Sequence, residues 1–85
     1  TVRPGEAVSC GLALEAGQKL DTVLLFRVYR PGGELAHEYS ENLETRGGAA
    51  TRSFRLALND PRGRWRIVVT DAVSGQRAVH ELVVR

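Results

Sequence analysis

The chain is short of cysteine, lysine and aromatic rings, and each shortage excludes something. A single cysteine, Cys10, rules out an internal disulfide and leaves the redox compartment open. Lys19 stands alone against eleven arginines, and ten acidic residues spread along the chain leave a formal net charge of only +2. There is therefore no basic block of the kind that tracks a phosphate backbone, and nucleic acid is not an expected partner. No apolar run approaches the length needed to span a bilayer, and no charged-then-apolar leader is present, so membrane insertion is not expected. One Trp and two Tyr provide little for a row of sugar-stacking rings. Helical periodicity is also missing, which removes the usual material for a helix bundle.

What remains is a chain of 85 residues, enough for one domain with a single core. It opens at Thr1 on residues that already read as strand, and we expect a piece of a longer protein. The abundance of Arg, Ala, Gly and Val suggests a high-GC bacterial coding sequence. Residues 59–75 organise the rest. Asp60-Pro61-Arg62-Gly63 has the chemistry of a type I turn. Trp65, Ile67 and Val69 then recur at every second position, the signature of a strand with one buried face. Asp71 closes that strand, and Ser74-Gly75 turns the chain into a last strand ending at Val84.

Before this stretch, the chain offers a short edge strand stopped by Pro4-Gly5. A clean alternation follows, with Val8, Cys10, Leu12 and Leu14 on one face and the small residues Ala7, Ser9, Gly11 and Ala13 on the other. A polar loop leads to the most apolar strand, residues 23–30, in which Leu24, Phe26 and Val28 should face the core. Arg30-Pro31-Gly32-Gly33 places Pro and Gly as a type II turn requires. Leu35, His37, Tyr39 and Leu43 suggest a polar edge strand; after a break at Gly47-Gly48, Phe54, Leu56 and Leu58 carry another strand inward.

These short strands, separated by turn signals every eight to twelve residues or so, predict an all-β fold: an immunoglobulin-like antiparallel β-sandwich of about seven strands. The expected core is Val8, Cys10, Leu12, Leu14, Leu24, Phe26, Val28, Phe54, Leu56, Leu58, Trp65, Ile67, Val69, Leu82 and Val84.

Four stretches also carry a resemblance: Val2-Arg3-Pro4-Gly5-Glu6-Ala7-Val8, Val28-Tyr29-Arg30-Pro31-Gly32-Gly33, Gly63-Arg64-Trp65-Arg66-Ile67, and Asp71 with Ser74-Gly75. Together they resemble the macroglobulin-like and related bacterial immunoglobulin-like domains, over nearly the whole chain. The resemblance implies a non-catalytic module set among other domains of a secreted, cell-surface or periplasmic protein, with parents that include protease-trapping macroglobulins and large carbohydrate-active enzymes. The chain has no thioester-type Cys-Gly-Glu-Gln, and it lacks the paired cysteines of antibody domains.

No catalytic constellation can be assembled, and no cofactor or metal site is expected. Cys10 shares its register with Val8, Leu12 and Leu14 and reads as a small core residue rather than a nucleophile. His37 and His80 lie at no ligand spacing from other donors. Asp21, Asp60 and Asp71 fall near strand ends where oxygen ligands for calcium could gather, but turn formation accounts for Asp60 and Asp71 without an ion. Trp65 reads as core rather than as an exposed sugar platform.

The remaining candidate is a face. If the strands around residues 23–30, 64–71 and 77–85 share a sheet, their outward residues Leu25, Arg27, Tyr29, Arg64, Arg66, Val68, Val79, Glu81 and Val83 come together. Aliphatics mixed with Tyr and Arg have the composition of a protein interface. The expected role is docking to neighbouring domains of the parent chain, to another protein, or weakly to a second copy. The alternative is a carbohydrate-binding or accessory module of a glycoside hydrolase.

Overall fold

The computed structural model describes residues 1–13, 23–45 and 49–85. Among these, six strands follow one another: β1 (Ala7–Ala13), β2 (Val23–Tyr29), β3 (Glu41–Glu44), β4 (Ala49–Arg55), β5 (Gly63–Asp71) and β6 (Arg77–Val84). They form two antiparallel sheets, one of β1 and β4 and one ordered β3-β2-β5-β6. Val2 adds a parallel bridge to Val84 at the free side of β6. The chain is an all-β sandwich, and its larger sheet has the strand order of the immunoglobulin arrangement.

A turn at Pro4-Gly5 moves the chain between sheets. Glu6 N–H donates to the Arg3 carbonyl at 3.1 Å, with Gly5 at φ +87° in the third position, as a type II turn requires. Gly5 N–H donates to the Leu56 carbonyl, and Leu56 N–H donates to the Glu6 carbonyl, both at 3.0 Å. Gly5 and Glu6 thus oppose one residue of the partner chain, forming a bulge that leads directly into the β1·β4 ladder. Val2 on one side of this bend joins the larger sheet, and Val8 on the other joins the smaller.

The core lies between the sheets. Leu24, Phe26 and Val28 of β2 and Trp65, Ile67 and Val69 of β5 are all buried, as their spacing predicts. From the smaller sheet and its continuation, Val8, Phe54 and Leu56 press on them. Phe54 meets Phe26 edge-on with ring centroids 6.3 Å apart, a favoured aromatic geometry. Cys10 and Leu82 are partly buried and pack against this cluster. Leu14, the loop before β2, Asp21 and Gly47-Gly48 lie outside the described residues.

Several expectations are corrected. Leu58 is 85% exposed rather than core. The alternation Phe54, Leu56, Leu58 ends early because the chain turns at Ala57, where Asp60 N–H donates to the Ala57 carbonyl at 3.1 Å. The turn is thus Ala57-Leu58-Asn59-Asp60, three residues before the expected Asp60-Pro61-Arg62-Gly63. Nor is Pro31-Gly32 a type II turn, since Gly33 and not Gly32 has positive φ, at +90°. Gly33 N–H closes on the Arg30 carbonyl and Arg30 N–H on the Glu34 carbonyl, both at 2.8 Å, which makes a three-residue hairpin loop.

The strand expected through Leu35, His37 and Tyr39 is interrupted. Leu35 bridges Tyr29, and Glu41 pairs with Phe26, so residues 36–40 stand opposite only Arg27 and Val28. The excess is taken up by a short 3-10 turn, His37–Tyr39. Ser40 holds its base, accepting from Val28 N–H at 3.0 Å and donating to the Ala36 carbonyl at 2.9 Å. The turn swings Tyr39 inward, where it is buried and stacks on Phe54 at 4.8 Å.

Candidate protein interface

Register brings the outward residues of the larger sheet into rows. Arg27 lies opposite Val68, which lies opposite Val79. In the next row Tyr29 faces Arg66 and Arg66 faces Glu81, and beyond it Arg64 faces Val83. Leu25 is placed on the other side of the Arg27 row, opposite Thr70. Every one of the nine residues expected on this face is on it, because residues two apart in a strand leave the same side. The face also carries Val23, Asn42, Glu44, Thr70 and Arg77, which the sequence reading did not include. The alternation in β2 already marks Val23; Asn42 and Glu44 join only through the pairing of β3 with β2.

The side chains there are unequally free. Arg64, Arg66, Val79 and Glu81 are exposed, with Val79 at 54%, whereas Leu25, Arg27, Tyr29, Val68 and Val83 are half-buried. Arg27 turns toward β3, donating to the Phe26 and Glu41 carbonyls at 3.1 and 3.2 Å and to Asn42 Oδ1 at 2.9 Å. Its charge is used within the sheet, and it ties the short edge strand to β2. The Arg66 guanidinium lies 5.6 Å from the centre of the Tyr29 ring, a cation–π distance that holds both side chains over the sheet. Glu81 pairs with Arg64 at 3.8 Å rather than with Arg27 or Arg66; with both groups exposed, such a contact contributes little. Four arginines against two glutamates, Glu44 and Glu81, leave the face positive.

The other candidates are absorbed by the fold. Trp65 is fully buried, and its indole N–H donates to the Pro61 carbonyl at 2.9 Å. Arg30 covers the ring at 5.6 Å while pairing with Glu38 at 2.5 Å and approaching Asp60 at 3.8 Å. Asp60 accepts from Ala57 N–H at 2.7 Å and from the Tyr39 hydroxyl. Asp71 accepts from Val73 and Ser74 N–H at 2.9 and 3.4 Å, closing the turn into β6. Both aspartates thus have turn partners, and no group of three metal-ligating side chains occurs among the described residues. Burial raises the Cys10 thiol above its ordinary pKa, and nearby Arg52 only partly opposes this, which makes a poor nucleophile at neutral pH. His37 and His80 are exposed. Tyr39, expected at an exposed edge, is buried instead, leaving Tyr29 the only Phe, Tyr or Trp ring not buried among the described residues.

Comparison of the chain with protein-family models and with curated proteins finds no match.

Proposed function

We propose that this chain is a non-catalytic docking module of a larger extracytoplasmic bacterial protein, engaging a neighbouring domain or a protein partner through the outer face of its larger sheet. The observation that carries this reading is the pair of adjacent rows Arg27·Val68·Val79 and Tyr29·Arg66·Glu81. They place aliphatic side chains beside a Tyr held under an Arg, the composition enriched at interface centres. The positive balance of the face suits a partner surface with an apolar centre and acidic surroundings.

Carbohydrate binding receives less support, because Trp65 and Tyr39 are inside the sandwich and Tyr29 alone makes no stacking row. The test is the pair Val68→Asp and Val79→Asp in the longer protein. Val79 is exposed and Val68 faces outward, so the domain should keep its strand circular dichroism. Cross-links between the domain and its neighbours should disappear. An unchanged cross-linking pattern would sink the proposal.

A further inference from the structure

The strands at the margins of the two sheets are protected to different degrees. A strand with one antiparallel partner sends the N–H and C=O groups of alternate residues away from it. In the smaller sheet the parity follows from the bond between Leu56 N–H and the Glu6 carbonyl, next to the pair Ala7·Arg55. Val8, Cys10 and Leu12 therefore exchange hydrogen bonds with β4, and the backbone groups of Ala7, Ser9, Gly11 and Ala13 point outward. Among the described residues no strand pairs with that side of β1.

An open edge is a template for another strand, and proteins usually guard it with charge, Pro or a bulge. Three of the margins are guarded. β4 carries Arg52 and Arg55, β3 carries Glu41 and Glu44, and β6 carries Arg77 and Glu81 with Val2 bridged to its end. β1, Ala-Val-Ser-Cys-Gly-Leu-Ala, has neither charge nor Pro over its seven residues, and the bulge at Gly5-Glu6 ends before them.

We propose that β1 takes the β1 strand of a second copy, antiparallel and centred on Cys10. The strand is complementary to its own reverse. With Cys10 opposite Cys10, Ala7 stands opposite Ala13, Val8 opposite Leu12 and Ser9 opposite Gly11, so small residues meet small and aliphatic meets aliphatic. No charge enters the new pairing, whereas a partner strand resembling β3, β4 or β6 would place charged residues opposite uncharged ones. In this register the whole strand pairs, and Ser9·Gly11 and Ala7·Ala13 are the hydrogen-bonded pairs, as the outward parity requires. A two-fold axis at Cys10 uses one edge from each copy, so the contact closes as a dimer rather than growing into a filament. It also joins two two-stranded sheets, each marginal by itself, into one of four strands ordered β4-β1-β1-β4.

Sedimentation under reducing conditions over a range of concentrations tests this. A monomer–dimer equilibrium is expected. Gly11→Pro removes an outward donor from each copy while leaving the β4 ladder, and a Cβ at that position meets nothing within 4 Å. It should weaken the dimer by roughly ten-fold or more. Ser9→Lys, which introduces the missing charge on the exposed side of β1, should act in the same direction, with unchanged circular dichroism showing that the fold persists. Diamide at mildly alkaline pH, which ionises the partly buried thiol, should link the copies: two Cys10 thiols give up two protons and two electrons, forming one disulfide and reducing the diamide to the hydrazine. A non-hydrogen-bonded pair with Cα atoms about 4.5 Å apart lies within bridging range. A monomer at every concentration overturns the proposal, as does a dimer indifferent to both substitutions or one whose Cys10 residues fail to couple. Val68→Asp with Val79→Asp should leave the dimer intact; its loss there would move the contact to the outer face of the larger sheet and overturn the edge pairing as well. Because the two surfaces belong to different sheets, the docking proposal and the edge proposal can fail separately.

Discussion

Tyr39 shows how one residue ties distant parts of the chain together. Its ring stacks on Phe54 of the smaller sheet and lies 6.1 Å from Trp65 of the larger. Its hydroxyl donates to Asp60, which also accepts from Ala57 N–H, so the buried phenol and the turn before β5 satisfy each other. Removing the hydroxyl in Tyr39→Phe leaves the ring packing and deprives Asp60 of a donor; we expect a loss of about 1–3 kcal/mol in urea unfolding. Burial, and next the hydrogen bond to Asp60, raises the Tyr39 pKa above the ordinary 10.0. The folded state therefore holds this proton more tightly than the unfolded chain. Its contribution is complete below pH 10.0 and is lost as pH rises through the higher folded value. A stability–pH profile should fall on the alkaline side, and Tyr39→Phe should flatten that fall; an unchanged alkaline limb would contradict the assignment.

At the scale of elements, the β2·β3 connection separates what local chemistry specifies from what packing imposes. Pro31-Gly32-Gly33 reads as a reversal from sequence alone, but which glycine takes the left-handed conformation depends on how the flanking strands align. Gly33 takes it, at φ +90°. Gly33→Ala should therefore cost about 1–2 kcal/mol. Gly32→Ala, at ordinary φ and with open space around the added carbon, should change stability by no more than about 0.5–1 kcal/mol, in either direction. Thermal unfolding of the two variants separates this loop from a type II turn, which would reverse their order. The 3-10 turn after it has no comparable local mark. Leu35, His37 and Tyr39 alternate like a strand, and only the room beside Phe54 and Trp65 draws Tyr39 out of that alternation.

For the whole molecule, the inequality of the sheets governs what is exposed. Among the described residues two strands face four, and β6 lies beyond their reach for most of its length. Residues 77–81 are exposed, while Val84, beside Val2, is buried. The outer face of the larger sheet keeps a positive balance around Val68 and Val79. If it docks onto an acidic surface, association should weaken as salt is raised, and Arg64→Glu with Arg66→Glu should slow the on-rate more than it speeds dissociation. Stopped-flow association with the neighbouring domains at two ionic strengths measures this; rates indifferent to salt and to both substitutions would argue against electrostatic docking.

The sequence by itself determined the all-β class, the inward registers of β2 and β5 and the residues of the outer face, because alternation within a strand assigns each side chain to a side before any partner is known. Asp71 and Ser74-Gly75 were legible for a similar reason, since a turn closes over a few neighbouring residues. Tertiary structure alone decided where the ladder beyond Phe54 stops, which put Leu58 outside, and which ring fills the space over Trp65, which put Tyr39 inside. It also decided which strand edges have no partner among the described residues. Those outcomes depend on pairing and packing between segments far apart in the chain, and a local pattern carries no record of either.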